Sequence, residues 1–145
     1  MKILLINGAN LNLLGTREPE KYGSTTLKDI EKSVVLCGKE LGVEVHCWQS
    51  NHEGEIVEKI QSAKGSYDGL IINAGGYTHT SVVIRDAIAS VNVPTVEVHM
   101  TNIHAREEFR HTSLISGVSI GQVIGFKELS YKLALKGLVN YLLLK

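Results

Sequence analysis

The 145-residue sequence contains few cysteines and carries no net charge, and both features exclude classes of protein. Its two cysteines, Cys37 and Cys47, lack the CxxC or Cys/His spacing of a zinc site and provide no disulfide framework. We therefore expect two free, buried thiols in a reducing compartment. The 15 basic and 15 acidic side chains balance, so the electrostatic footprint of a protein that binds nucleic acid or an anionic membrane is absent.

Long apolar runs and common cofactor motifs are also missing. No stretch approaches the ~20 apolar residues of a transmembrane helix, and the run at residues 3–6 is too short for the core of a secretory signal. There is no GxxxxGK[ST] phosphate loop, and no GxGxxG follows the first apolar run. His99, His104 and His111 are not spaced as metal ligands on one helix face. These observations favour a cytoplasmic protein without metal or cofactor.

Strand-like and helix-like apolar patterns alternate along the whole chain. Strands are predicted at residues 2–7, 43–48, 70–72, 95–99 and 118–123. Helices are predicted at residues 26–41, 53–64, 80–90, 102–111 and 126–144. This alternation predicts an α/β fold in one domain spanning residues 1–145. We expect a flavodoxin-like three-layer sandwich, with a five-stranded parallel sheet in the order 2-1-3-4-5.

The predicted C-terminal helix is apolar on more than one side. One face carries Leu133, Leu138 and Leu142, and another carries Leu135, Val139 and Leu143. A helix with two apolar faces needs two partners. We expect one partner to be the sheet and the other to be a neighbouring subunit.

The connection at residues 7–23 is much longer than the ~2–6 residues usual between a strand and a helix. Loops of this length are usually lids or binding segments, or else they are disordered. This one contains Arg17 and Tyr22 beside several asparagines. Its composition alone leaves both readings open, an idle solvated loop or a working lid at about residues 15–24.

Polar residues, with two glycines and one methionine among them, follow the first, third and fourth predicted strands. They are Asn7, Asn10, Asn12, Arg17, Tyr22, Asn73, Gly75, Gly76, Thr78, His79, His99, Met100, Thr101, Asn102, Arg106 and Arg110. In the predicted order these three strands are adjacent, and ligands of open α/β sheets bind outside the carboxyl ends of strands. This inventory of amides, imidazoles, guanidiniums and one phenol suits an anionic, hydroxyl-rich small molecule handled by acid–base chemistry.

Each of these residues also has a plain structural explanation. His99 could be a hydrogen-bonded imidazole at a buried strand end. Arg106 and Arg110 could pair with Glu107 and Glu108 on one helix. No single signal is specific, but the convergence of three strand ends favours a functional site.

Five segments, in order, resemble the type II 3-dehydroquinate dehydratases over essentially the whole chain. They are NGANLNLLGTREPEKYG, INAGGYTHTSVVIRDA, EVHMTN, HAREEFRHTSLIS and GFKELSYKLAL. Ala9 stands where the family commonly has proline, and Met100-Thr101 where leucine or isoleucine and serine are usual. The resemblance implies dehydration of 3-dehydroquinate to 3-dehydroshikimate by anti elimination through an enolate, without metal or Schiff base. It also implies a dodecamer, a tetramer of trimers.

The resemblance assigns catalytic roles to six residues. Tyr22 would remove the proton next to the ketone, and Arg17 would sustain the phenolate. Either Asn10 or Asn12 would hold a water against the enolate oxygen. His99 would protonate the departing hydroxyl, with Glu97 as its orienting partner.

The resemblance also assigns substrate contacts. Asn73 and the backbone at Met100 and Thr101 would hold the carboxylate and a nearby hydroxyl. The side chains expected at the ring hydroxyls, or elsewhere on the substrate, are those of His79, Arg106, Arg110 and, from an adjacent subunit, Asp86.

Two rivals and one ambiguity are left open by the sequence. A lysine Schiff base would have to use Lys21, which lies beside Glu20 in a wet segment; trapping with borohydride would reveal it. A non-enzymatic binding module would leave Tyr22 and His99 without a role, and it would produce no enone absorbance. The reaction itself serves both the shikimate pathway of aromatic amino-acid biosynthesis and quinate catabolism.

Overall fold

The computed structural model describes residues 1–16 and 18–145, and for Lys21 and Tyr22 it describes the backbone alone. The five strands form one parallel sheet in the order β2-β1-β3-β4-β5. They are β1 (Lys2–Asn7), β2 (Glu44–Gln49), β3 (Gly69–Asn73), β4 (Thr95–His99) and β5 (Gly121–Ile124). This order confirms the predicted flavodoxin-like topology, with β2 at one edge.

Five α-helices accompany the sheet in the described part of the chain. They are α1 (Pro19–Tyr22), α2 (Leu27–Glu40), α3 (Glu53–Ser62), α4 (Val82–Val91) and α5 (Leu129–Leu143). The predicted cap of α2 is confirmed, since Thr26 Oγ1 accepts from the Asp29 N–H and the Asp29 carboxylate accepts from the Thr26 N–H. No helix within the described residues has the length and apolar character to cross a membrane.

Alternate residues of the strands pack into two separate cores, one on each face of the sheet. Ile3, Leu5 and Ile71 pack against α2 and α5, whereas Leu4 and Ile6 pack against α3 and α4. Successive strand side chains point to opposite faces, so a strand buried on both sides must be apolar at nearly every position. The short apolar runs of the sequence meet this requirement.

One predicted helix is wrong, and two other predicted elements begin three residues too early. Residues 102–111 do not form one helix but two 3-10 turns, Ile103–Ala105 and Glu108–Arg110, because the backbone at Arg106 is extended (φ −111°, ψ −165°). Strand β5 begins at Gly121 and not at residue 118, after a 3-10 turn at Ser116–Val118. Helix α5 begins at Leu129 and not at residue 126, because positive φ at Gly125 and Lys127 makes a turn there.

The C-terminal helix is buried mainly along one broad face, which corrects the expectation of two separate apolar faces. Leu135, Leu138 and Val139 all pack into the same core, with Leu142 against it. Of the two predicted faces, Leu143 is 67% exposed and Leu133 is partly exposed within the subunit. A contact between α5 and another subunit stays a prediction.

Both cysteines are free thiols, as predicted. Cys37 is buried on α2, and Cys47 is half-buried on β2. Burial raises the pKa of the Cys47 thiol to about 12, and the neighbouring carboxylate of Glu31 acts in the same direction. Both thiols are therefore poor nucleophiles in the folded chain.

The segments that follow β1 and β3 are in direct backbone contact. The Gly8 N–H donates to the Asn73 carbonyl at 2.7 Å, and a Cβ at Gly8 would overlap the Ala74 carbonyl. Gly75 has φ +64°, and a Cβ there would lie 2.7 Å from the Ala9 carbonyl oxygen. Glycine is thus required at both positions, by close approach at Gly8 and by approach and conformation at Gly75.

We predict that Gly8→Ala destabilises the protein by about 1–3 kcal/mol, because the added methyl group forces the two segments apart. The measurement is the free energy of unfolding in urea. Gly137→Ala is the matched control: nothing lies within 4 Å of the added atom in the middle of α5, so stability should rise by roughly 0.5–1 kcal/mol. Equal stabilities of Gly8→Ala and the parent protein would contradict the required contact.

Candidate active site

A cavity of about 110 Å³ lies outside the carboxyl ends of β1, β3 and β4. A cavity of this size suits one compact ligand. Eight of the predicted site residues line it: Asn10, Asn73, His79, His99, Met100, Thr101, Arg106 and Arg110. The cavity is at the place that the sheet order predicts for a ligand.

The other five predicted residues do not line this cavity or cannot be placed. Glu97 is fully buried behind His99. Asn12 is exposed in the 3-10 turn Leu11–Leu13, and Asp86 is exposed on α4. Arg17 and the side chain of Tyr22 lie outside the residues that the structure describes.

Glu97 and His99 form a buried pair at the end of β4. Residues two apart on a strand point to the same face, so the two side chains meet directly. His99 Nε2 lies 2.5 Å from Glu97 Oε2, and the residues are 6% and 0% exposed. Because Nε2 is engaged with the carboxylate, Nδ1 is the nitrogen available to another partner. A carboxylate placed in this way orients the imidazole and compensates positive charge on it.

Ser113 holds the Glu97 carboxylate from the other side, and sequence reasoning missed it. Its hydroxyl donates to Glu97 at 2.8 Å to Oε2 and 3.0 Å to Oε1. The same oxygen accepts the N–H groups of Ile115 and Ser116, which directs its proton to the carboxylate. Ser113 falls within the HTSLIS segment, but nothing in the sequence marks it as a partner of a residue 16 positions earlier.

His79 presents a neutral imidazole to the cavity. Its Nδ1 donates to the Thr112 carbonyl at 2.8 Å, which leaves Nε2 with a lone pair for a ligand. Burial lowers the pKa of His79 below its ordinary value, and His99 and Arg110 lower it further, against the opposing effect of the bond to Thr112. The rings of His79 and His99 are stacked, with centroids 6.4 Å apart.

The two arginines line the cavity and are tethered as well. Arg110 Nε donates to Glu107 at 2.7 Å, so the local ion pairing expected from the sequence is confirmed for this pair. Arg106 Nη1 reaches the Thr101 hydroxyl at 3.4 Å. Their tethers fix two guanidiniums at the cavity wall, where they make it attractive to an anion.

The end of β2 supports the site, although the polar residues predicted to form the site follow β1, β3 and β4. The Asn51 side-chain carbonyl accepts the Asn10 N–H at 2.9 Å and a Gln49 amide N–H at 3.1 Å. The Tyr77 hydroxyl donates to the Asn51 backbone carbonyl at 2.8 Å. These bonds hold Asn10 at φ +70°, a left-handed conformation that asparagine tolerates.

A GxSxG sequence at residues 117–121 does not form a nucleophile elbow. Such an elbow places serine between a strand and the following helix. Ser119 instead precedes β5, and its hydroxyl donates to the Ile115 carbonyl at 2.8 Å. It does not line the described cavity.

We predict that His79 titrates below the ordinary histidine pKa of about 6.5 in the folded protein. Proton NMR of the imidazole checks this, with His79→Gln used to assign the signal. The folded chain then binds fewer protons than the unfolded chain between the two pKa values. The corresponding stability is fully present above about pH 6.5 and is lost as pH falls towards the folded value. A midpoint at or above 6.5 would contradict the burial argument.

Comparison with known proteins identifies the family. The sequence model of the family "Dehydroquinase class II" matches residues 1–139. The chain is 54% identical to a 3-dehydroquinate dehydratase of Prochlorococcus marinus (strain MIT 9301) over 145 residues, which cover 100% of this chain and 99% of the relative. It is 55% identical to one from Dinoroseobacter shibae, over 98% of this chain and 95% of that protein.

Solved structures agree with the sequence relatives. The crystal structure of the type II dehydroquinase from Butyrivibrio crossotus superposes with a TM-score of 0.93 at 46% identity, covering 97% of both chains. That from Propionibacterium acnes gives 0.92 at 38% identity, covering 96% of both. With this match in sequence, fold and length, the chain belongs to the class II dehydroquinase family.

Proposed function

We propose that this chain is a type II 3-dehydroquinate dehydratase, a hydro-lyase that converts 3-dehydroquinate to 3-dehydroshikimate. Membership of the class II dehydroquinase family supports the reaction. The observation that carries it within the molecule is the buried Glu97–His99 pair, which stands at a cavity lined by amides and two arginines. A proton donor beside anion-binding groups is what the removal of hydroxide from a carboxylate-bearing ring requires.

The cavity wall supplies complementary contacts for such a substrate. In the proposed complex, Asn73 and the backbone at Met100 and Thr101 bind the carboxylate and a nearby hydroxyl. His79 Nε2, whose lone pair is fixed by the bond from Nδ1 to Thr112, accepts a hydrogen bond from a ring hydroxyl. Arg110, with Arg106 beside it, completes the polar wall.

The proposed elimination has two steps. The Tyr22 phenolate takes the proton next to the ketone, and the electrons of that C–H bond form an enolate. A water held by Asn10, which lines the cavity whereas Asn12 does not, stabilises the enolate oxygen. The enolate then collapses, the C–O bond on the opposite face breaks, and His99 protonates the departing hydroxyl to give water. The overall geometry is anti.

If Tyr22 is the base, its pKa must be lowered, and this requires a particular environment from the segment at residues 15–24, the proposed lid. A phenol of pKa ~10 must drop by roughly 2–3 units to act at neutral pH, which corresponds to about 3–4 kcal/mol. One exposed cation contributes only ~0–1 kcal/mol. We therefore propose that the lid closes over the substrate, so that Arg17 stabilises the phenolate in a site that excludes water.

We expect Tyr22→Phe, Arg17→Ala and His99→Ala each to lower kcat by roughly 10²–10⁴-fold, because each removes a group that acts on a proton or on the phenolate. The assay is the absorbance of the conjugated enone formed from 3-dehydroquinate. Tyr67→Phe is the control, since this half-buried tyrosine bonds His46 on the edge strand β2.

The result that overturns the mechanism is a near-normal kcat for any of the three variants with the fold intact. Unfolding in urea shows whether the fold is intact. Covalent trapping of substrate by borohydride would favour a Schiff base and contradict the enolate route. No enone from the parent protein would overturn the proposed function itself.

We also propose assembly into a dodecamer of four trimers, with Asp86 reaching the site of an adjacent subunit. Asp86 is exposed on α4, and the same helix exposes Val82 and Val83, which are 57% and 51% accessible within the subunit. Asp86→Ala should raise KM without changing the mass measured by light scattering. A monomeric parent protein, or an unchanged KM, would contradict this arrangement.

A further inference from the structure

Three buried polar side chains form a hydrogen-bonded network directly behind the cavity. The Tyr131 hydroxyl on α5 donates to Asn7 Oδ1 at 2.7 Å and accepts from Asn73 Nδ2 at 2.8 Å. Asn7 and Tyr131 are 0% exposed and Asn73 is 4% exposed. Of the three, Asn73 lines the cavity, so the network ends at the proposed substrate.

The direction of each hydrogen bond follows from its partners. Asn73 Oδ1 accepts the Gly75 N–H at 3.1 Å, so the amide nitrogen of Asn73 is the atom that faces Tyr131. The phenol oxygen therefore accepts from Asn73, and its own proton goes to Asn7. Burial raises the pKa of Tyr131 far above its ordinary value, so the phenol keeps that proton over the working pH range.

Apolar packing alone does not account for these residues. The preceding side chains on this face of β1 and β3 are Ile3, Leu5 and Ile71, and they form an apolar core with α5. Asn7 and Asn73 break that pattern side by side, in register, at the last position of each strand. A phenylalanine at position 131 would fill the same space, so the hydroxyl has its effect on the two asparagines.

The amide of Asn73 is held at both of its ends. Its oxygen is bound by the Gly75 N–H, and one of its two N–H groups is bound by Tyr131. An amide nitrogen carries two N–H groups, so one remains for a ligand, in a direction set by the other bonds. A donor fixed before binding loses less conformational freedom when the ligand arrives.

We propose that Tyr131 is a positioning residue, which fixes the Asn73 amide so that its second N–H points to the substrate. This inference rests on the proposed function, because Asn73 there binds the carboxylate or nearby hydroxyl, away from the reacting bonds. Such a contact is made in the ground state and in the transition state alike. Its loss raises KM and leaves kcat nearly unchanged.

The test is a double-mutant cycle in the full-length enzyme. Tyr131→Phe should raise KM roughly tenfold with kcat within about threefold of the parent, and Asn73→Ala should raise KM by about ten- to a hundredfold. Adding Tyr131→Phe to Asn73→Ala should change KM by less than about twofold, because the group it positions is gone. The control is Tyr67→Phe, which removes a tyrosine hydroxyl bonded to His46 on the edge strand β2. It should leave KM unchanged.

Two outcomes overturn the proposal. One is an unchanged KM in Tyr131→Phe, and the other is a KM in the double variant that rises by the product of the two single-variant effects. A purely structural role would lower stability and the amount of active enzyme without moving KM. If Tyr131→Phe fails to fold, Asn7→Ser removes the acceptor of the same phenol proton and should shift KM in the same direction.

A readout without turnover separates this inference from the proposed function. In the ligand-free protein, NMR should show slow solvent exchange of one Asn73 side-chain N–H, and Tyr131→Phe should abolish that protection. Equal exchange in both proteins would overturn the inference whether or not the chain dehydrates 3-dehydroquinate. The opposite result is also distinguishable. If the N–H is protected in the parent protein and exposed in Tyr131→Phe, but the parent does not dehydrate 3-dehydroquinate, the hydrogen bond is supported and the proposed function is overturned.

Discussion

The site depends on one backbone contact, the hydrogen bond from the Gly8 N–H to the Asn73 carbonyl. Strands β1 and β3 stay in register to their last residues, so the segments that leave them begin at the same point. They can stay together only because neither Gly8 nor Gly75 carries a side chain. This contact brings Asn10, from the first segment, and His79, from the second, to one cavity.

Around this contact, hydrogen bonds hold the residues that line the cavity. His99 is held by Glu97, which is held in turn by Ser113. Asn10 is anchored through Asn51, and His79 through the Thr112 carbonyl. His99 and His79 thus each have one ring nitrogen bound to the protein, and the other ring nitrogen is available to a further partner. A site built this way needs little reorganisation when a ligand binds.

The sequence was sufficient to predict the sheet, because a parallel strand buried on both faces has to be apolar almost throughout. Strands β1 and β4 are predicted to the residue for this reason. The segment after β4 was predicted wrongly, since its charged residues suit a helix. In the structure the chain is extended at Arg106, between two short turns, and both arginines reach the cavity. Tertiary contacts favour this extended conformation over a helix, and helix propensity, which depends on local sequence, does not reflect them.

The residues that line the cavity at strand ends were predictable because polar side chains stand out after apolar runs. The residues that support them were not. Ser113 resembles any serine in a loop, Asn51 follows an edge strand, and Tyr131 resembles an aromatic core residue of a helix. Ser113 lies 16 positions from its partner Glu97, and Asn51 lies 41 positions from Asn10. Tyr131 lies 58 positions from Asn73. Only the folded arrangement brings such pairs together.

The two inert thiols have a practical consequence for testing the proposed lid in solution. Cys37 is buried, and the raised pKa of Cys47 keeps almost none of it as the reactive thiolate near neutral pH. A cysteine introduced at the exposed position Ser24, at the end of the proposed lid, would then be the principal site for a maleimide dye. Fluorescence from that single position would then show whether the proposed lid closes, without first removing the two cysteines of the chain.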